Sequence, residues 1–237
     1  MEKIKAIFSW SGGKDSALCL QRVLQEGVYE VCFLLTTVNG NLHRVSMHGI
    51  PESLLDAQAA ATGIPLKKVY VYEASNAEYE RQMYEALTEA KAAGINTVIF
   101  GDIFLEDLRK YREEKLAVAG MNAVFPLWKE DTAKLVQEFI GKGFQSVICC
   151  VNDAYLDEEA AGKLLNDDFV AQLPADVDPC GENGEYHSYC FAGPVFDAPV
   201  RVRVAGKVYQ PLDAALQQPD RLGKITKGFW FADVVED

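Results

Sequence analysis

Short apolar runs alternate with helix-like patterns over residues 3–151, and this alternation leaves few architectures open. Residues 3–9, rich in Ile and Phe, read as a buried strand followed by a Gly-rich turn. Ala17, Leu20, Val23 and Leu24 then recur at helical spacing until Gly27. Residues 28–38 form a second apolar, β-branched run, and 51–62 read as a helix with Pro51 in its first turn and Gly63 past its end. Residues 66–72 give a third strand, 76–93 a longer helix stopped by Gly94, and 95–101 a fourth strand. Two further helical patterns, 105–119 and 132–142, precede a fifth strand at 145–151. The alternation predicts an α/β fold: a parallel five-stranded sheet with helices on both faces. Ligands bind such sheets at the carboxyl ends of the strands, near the switch point. The chemistry is therefore expected at the loops after residues 9, 37 and 101.

Beyond about residue 153 the pattern changes. Residues 156–173 suggest helix, and 174–184 are rich in Pro, Gly and Asp. In 200–209, Val200, Val202 and Val204 alternate with Arg201 and Arg203, as in a half-buried antiparallel strand. The length of 237 residues fits one main domain, 1–152, with a smaller α+β region, 153–237, packed over the mouth of the sheet. Phe229-Trp230-Phe231 reads either as an interface patch, as in a homodimer, or as a last packed strand.

Composition narrows the function. The chain carries 23 basic and 35 acidic residues, a net charge of −12, which argues against a broad nucleic-acid face. Its N-terminal apolar run is too short for a signal segment, and no stretch approaches the ~20 apolar residues of a membrane span. The expected location is the cytoplasm. Six cysteines, none in a Cys-x-x-Cys pair, give no zinc or thioredoxin-like motif, and reduced, mostly buried thiols are expected.

The turn after the first strand reads Ser9-Trp10-Ser11-Gly12-Gly13-Lys14-Asp15-Ser16. A Gly-rich turn between strand and helix aims backbone N–H groups and the positive helix end at an anion. Gly12 and Gly13 allow close approach, and Ser9, Ser11 and Ser16 offer hydroxyl donors. Lys14 can neutralise phosphate charge, and Asp15 can hold Mg²⁺. The Gly-x-x-x-x-Gly-Lys-[Ser/Thr] pattern of a Walker A loop is absent. An ordinary helix-capping turn is the bland alternative.

Placed between first strand and first helix, Ser-Gly-Gly-Lys-Asp-Ser resembles the loop of the PP-loop ATP pyrophosphatases (adenine nucleotide alpha hydrolase-like proteins). Three more segments narrow the resemblance. They are Ser46-Met47-His48-Gly49-Ile50-Pro51 with Leu54, Leu55, Ala57 and Gln58; Phe100-Gly101-Asp102-Ile103 with Arg109, Tyr111, Arg112 and Glu113 and then Pro126-Leu127-Trp128; and Asp178-Pro179-Cys180-Gly181-Glu182-Asn183-Gly184-Glu185-Tyr186-His187-Ser188 with Gly193-Pro194-Val195-Phe196. Together they resemble the diphthine–ammonia ligase (diphthamide synthase) family over residues 3–200.

The resemblance implies a Rossmann-like, HUP-type fold, with 1–152 as the PP-loop ATP-binding domain and 153–237 as a substrate-binding region. It implies a ligase that splits ATP between the α and β phosphates, adenylates an acceptor carboxylate and lets ammonia displace AMP. The implied partners are ATP, Mg²⁺, ammonia and elongation factor 2 carrying diphthine. Ser9, Ser11, Gly12, Gly13, Lys14, Asp15, Ser16, Thr36, His48 and Gly101 are the expected ATP contacts, with Asp15 and Asp102 on Mg²⁺. Lys14, Asp102, Glu182, Glu185 and His187 are the expected catalytic set. Each has a plainer reading: His48 as a helix-entry residue, Asp102 as a cap, Arg109 and Arg112 as solvent-facing, Trp128 as packing, 181–187 as a solvated acidic turn. With no glutaminase segment in view, free ammonia or a separate protein is the expected nitrogen source. Three readings stay open: the same chemistry on another small-molecule acceptor, a tRNA-modifying PP-loop enzyme, and an ATP- or AMP-binding module without turnover. The acidic balance counts against the tRNA enzyme.

Overall fold

The structure, a computed structural model, describes residues 2–45, 48–72 and 76–237. Ser46 and Met47, in the second of the segments above, lie outside the described residues.

Among the described residues ten strands and six α-helices follow in order: β1 Ile4–Ser9, α1 Lys14–Glu26, β2 Tyr29–Asn39, β3 Arg44–Val45, α2 Glu52–Thr62, β4 Leu66–Val71, α3 Asn76–Ala92, β5 Thr97–Ile99, α4 Glu106–Val118, β6 Asn122–Val124, α5 Thr132–Gly141, β7 Gln145–Asn152, α6 Asp167–Ala171, β8 Tyr186–Ala192, β9 Val202–Pro211 and β10 Gly228–Glu236. In the first sheet β1 lies between β2 and β5. β4 pairs with β2 and β6 with β5, all parallel, and β3 adds a short antiparallel pairing to β2.

Five parallel strands are thus present, flanked by helices. Successive residues of β1 show why its sequence is apolar throughout. Ala6 and Phe8 belong to the core shared with α1 and α2, whereas Ile7 belongs to the core under α3 and α4. A strand covered on both faces carries no polar alternation.

The fifth parallel strand is β6, not the expected 145–151 run. That run is β7, the inner strand of a second, antiparallel sheet ordered β8-β7-β10-β9. Val147 to Val151 are all buried. A strand covered on both faces looks the same whether its neighbours run parallel or antiparallel. The two sheets therefore divide between β6 and β7, earlier than the boundary at 152. The helix suggested at 156–173 shrinks to α6. Turns precede it, where Asp157 caps the backbone N–H of Glu159, and Asn166 caps Phe169. Phe229-Trp230-Phe231 lies in β10, paired with β7 and β9, as a packed strand rather than an exposed patch.

Candidate active site

β1 ends at Ser9, and the chain turns through Gly12 and Gly13 into α1. Gly12 has φ +78°, and a Cβ there would come within 2.7 Å of Gln58 Oε1, so both its angle and its space require glycine. Gly13 is the N-cap of α1. A Cβ there would lie 3.0 Å from the Ser188 carbonyl and 3.3 Å from His48 Nε2. Ser11 Oγ accepts from Gly13 N at 3.3 Å and donates to Ser16 Oγ at 3.2 Å, and Ser16 Oγ donates to Gly13 O at 2.9 Å. Thr36 Oγ1 donates to Trp10 O at 2.6 Å, tying the loop to the end of β2.

The second region closes on this loop. Cys190 N donates to Gly12 O at 2.8 Å, and Lys14 N donates to Ser188 Oγ at 3.2 Å. Gln58, fully buried on α2, binds both parts. It accepts from Trp10 Nε1 at 3.0 Å and donates to Gly12 O at 2.9 Å and Cys190 O at 2.6 Å. Sequence reasoning quoted Gln58 without giving it a role. Its signal was a glutamine on the same helical face as Leu54 and Leu55, where an amide must find partners.

The buried Lys14 ammonium pairs with Asp15 Oδ2 at 2.6 Å and donates to the Cys180 carbonyl. Burial opposes its charge, but Asp15, Cys180 and Tyr186 together outweigh that and its pKa is raised. Burial raises the Asp15 carboxyl against the pull of Lys14.

A cavity of about 940 Å³ opens over this loop. Its lining includes Ser9, Ser11, Gly13, Lys14, Asp15, Ser16, Thr36, His48, Gly101, Asp102, Glu182 and His187, so twelve of the expected site residues share one space at the strand ends. Two do not reach it. Gly12 lies behind the loop against Gln58. Glu185, expected as a catalytic carboxylate, is buried and turned inward. It accepts from Asp178 N at 3.1 Å, Asn183 N at 2.9 Å and Asn183 Nδ2 at 2.9 Å. The loop's own N–H groups use its acceptors.

Glu182 faces the cavity. Its Oε1 accepts from Ile103 N at 2.8 Å and Phe104 N at 3.2 Å. Burial, with the Asp15 charge added, pushes its pKa up to about 7. The His48 and His187 rings meet with centroids 4.6 Å apart, tilted by 38° to each other. His187 Nε2 is buried without a hydrogen-bond partner, and burial, His48 and Lys14 hold this imidazole well below its usual pKa.

Asp102 does not stand free for a cation. Its Oδ2 lies 2.7 Å from Arg112 Nε, and the guanidinium stacks over Phe100 at 4.3 Å. Burial still raises its carboxyl. Arg109 faces away, pairing with Glu113 and stacking on Phe125 and Trp128 at 4.9 and 4.6 Å, so Trp128 packs. Burial pushes the Cys180 thiol well up, and its Sγ contacts Thr132 O at 3.2 Å, so it is no thiolate nucleophile. Among the described residues no group of three or more His, Cys, Asp or Glu is arranged to hold a metal, and no helix is long and apolar enough to cross a membrane.

Residues 4–122 match the model of the diphthamide synthase N-terminal domain, and residues 131–217 that of the diphthamide synthase C-terminal domain. A curated diphthine–ammonia ligase from Rattus norvegicus is 25% identical over 227 residues, spanning 86% of this chain and 85% of the relative.

Proposed function

The chain belongs to the diphthamide synthase family, and from that premise we propose that it is an ATP-dependent ligase that adenylates an acceptor carboxylate and amidates it with ammonia. The observation that carries this reading is one cavity holding both halves of the chemistry. The glycine loop with Lys14 and Asp15 forms one wall, and Glu182, with its pKa pushed up to about 7, forms the other.

Backbone N–H groups at the start of α1, the Ser11 and Ser16 hydroxyls and Lys14 bind the β and γ phosphates. The acceptor carboxylate attacks the α phosphorus, the bond to the bridging oxygen breaks, and pyrophosphate leaves into a fixed cationic cradle. Ammonia then attacks the acyl carbon of the adenylate and AMP departs. The proton lost by nitrogen goes to Glu182, a carboxylate suited to accept near neutral pH. His187, neutral and open at Nε2, borders the same space.

Mg²⁺ would be held by Asp15, whose Oδ2 pairs with Lys14 at 2.6 Å, together with substrate phosphates, and it would offset their charge. Asp102 takes part only if Arg112 releases it. The first sheet with its helices binds nucleotide, and the second region presents the acceptor. By the family resemblance the acceptor is elongation factor 2 carrying diphthine.

The test is product analysis with ATP, Mg²⁺ and ammonium, with and without diphthine-bearing elongation factor 2, beside Asp15→Ala. AMP and pyrophosphate that form only with the factor are the expected result. Formation with a small-molecule extract alone keeps the mechanism and replaces the acceptor. ADP and phosphate would sink the reading, and ATP binding without turnover would leave a binding module.

A further inference from the structure

We propose that the free edge of the second sheet, strand β9 with the basic segment after it, docks an acidic, extended segment of the protein acceptor, which adds to the sheet as a further strand. The inference rests on the reading above that the acceptor is a protein.

The first argument is charge. In a chain of net charge −12, residues 200–227 carry six basic side chains (Arg201, Arg203, Lys207, Arg221, Lys224 and Lys227) and two acidic ones. Both acids are used locally. Asp213 accepts from Ala215 N, and Asp220 accepts from Leu222 N, Lys224 N and the Tyr155 hydroxyl. Lys224 pairs with Asp176 at 2.5 Å, and Arg203 stands 3.8 Å from Asp237. Arg201, Arg221 and Lys227 have no ion pair among the described residues.

The second argument is exposure. Among the described residues β9 pairs with β10 on one side and with no strand on the other, and most of its residues are exposed. Val204, Val208, Leu216, Leu222 and Ile225 are five of the thirteen exposed large apolar side chains among the described residues, gathered into 22 positions. An edge strand offers backbone donors and acceptors to an extended partner, and its side chains set specificity.

A second copy of this chain fits poorly. Antiparallel self-pairing centred on Val202 sets Arg201 directly against Arg203. Like charges directly opposite are destabilising, whereas an acidic strand opposite these arginines makes the contact attractive.

The third argument is continuity with the active site. The cross-strand pairs Phe231 with Val208 and Val235 with Arg203 lie on one face of the sheet. On that face the Phe231 ring sits against Gly49, so closely that a Cβ there would be 2.5 Å from it, and Asp233 pairs with Arg44 at 2.8 Å. Gly49 follows His48, which lines the cavity. A strand added at β9 thus extends the face that abuts the turn at the cavity wall.

The experiment compares wild type with R201E/R203E/K207E, using labelled diphthine-bearing elongation factor 2 for binding and AMP release for turnover. The expected result is weaker binding of the factor and a higher KM for it, by about tenfold or more, with a flattened salt dependence and an unchanged KM for ATP. R201K/R203K should behave as wild type, and the melting curve reports folding of each variant. Unchanged affinity of R201E/R203E/K207E for the factor overturns the inference while leaving the ligase reading intact. So does a wild-type dimer, or wild-type binding of a mixed RNA, that the charge reversal abolishes. Absence of factor-dependent AMP from wild type is a separate failure, of the ligase reading, and takes the docking inference with it.

Discussion

The two walls of the cavity are built in different ways. The phosphate wall, residues 9–16, is one continuous turn whose geometry follows from its neighbours: a strand ends, two glycines bend the chain and a helix begins. The facing wall, residues 178–188, is a loop whose shape depends on its own inward carboxylates. Asp178 accepts from Cys180 N and Glu182 N, while Glu185 accepts from Asp178 and Asn183. A local motif states its geometry in sequence order, whereas a loop folded on its own side chains conceals which of them reach the site.

The largest effect expected tests whether the two walls act as one device. Lys14 belongs to the first wall, but its ammonium holds the Cys180 carbonyl of the second. Lys14→Met should lower AMP formation about a thousandfold, as for loss of a fixed cation at a charged leaving group. A loss of less than tenfold would mean that the leaving pyrophosphate is stabilised elsewhere.

Next comes the residue that joins the walls without touching the cavity. Gln58→Ala deletes three buried hydrogen bonds and leaves the Gly12 and Cys190 carbonyls and Trp10 Nε1 without their partner. Stability should fall by about 3 kcal/mol, or roughly 10 °C in Tm. A smaller change would show that the loop holds its shape unaided. The sequence made this end of the molecule legible down to the strand–turn–helix order, because glycine, serine and lysine spacing is local information. Gln58 stayed unread, because its partners lie 46 and 132 positions away.

On the second wall, Glu182→Gln separates chemistry from architecture. The amide oxygen can still accept from Ile103 N and Phe104 N, but the side chain no longer takes a proton. Turnover should drop about a hundredfold. The carboxylate must be ionised to act, so at a fixed concentration of unprotonated ammonia kcat/KM of wild type should fall about tenfold per unit as pH drops below about 7, the pKa of this group, and the variant should lose that limb. An acid limb retained in Glu182→Gln would assign the base elsewhere, with His187 the next candidate.

Glu185 sharpens the contrast between these two glutamates. Sequence alone could not rank them, since both sit on one glycine-flexed turn, and only the hydrogen bonds show which one faces inward. Glu185→Gln should destabilise the fold by about 2 kcal/mol in chemical denaturation, because a buried acceptor of three bonds is weakened. It should leave the acid limb near pH 7 in place. Disappearance of that limb would return Glu185 to the chemistry.

The smallest effect follows from the same carboxyl that makes the second wall reactive. Glu182 has a folded-state pKa of about 7, above its ordinary value of 4.5, because burial and Asp15 disfavour its charge. Between those values the folded state holds a proton that the unfolded state has released. Its stabilising contribution is therefore complete below about pH 4.5 and is lost as pH rises through about 7. Glutamine does not titrate, so the stability of Glu182→Gln relative to wild type should rise by roughly 1–2 kcal/mol from pH 5 to pH 8, read as the difference in denaturation midpoints. A pH-independent difference would mean that Glu182 is ionised and solvated in the folded protein, and the second wall would then lose its physical claim to be the basic one.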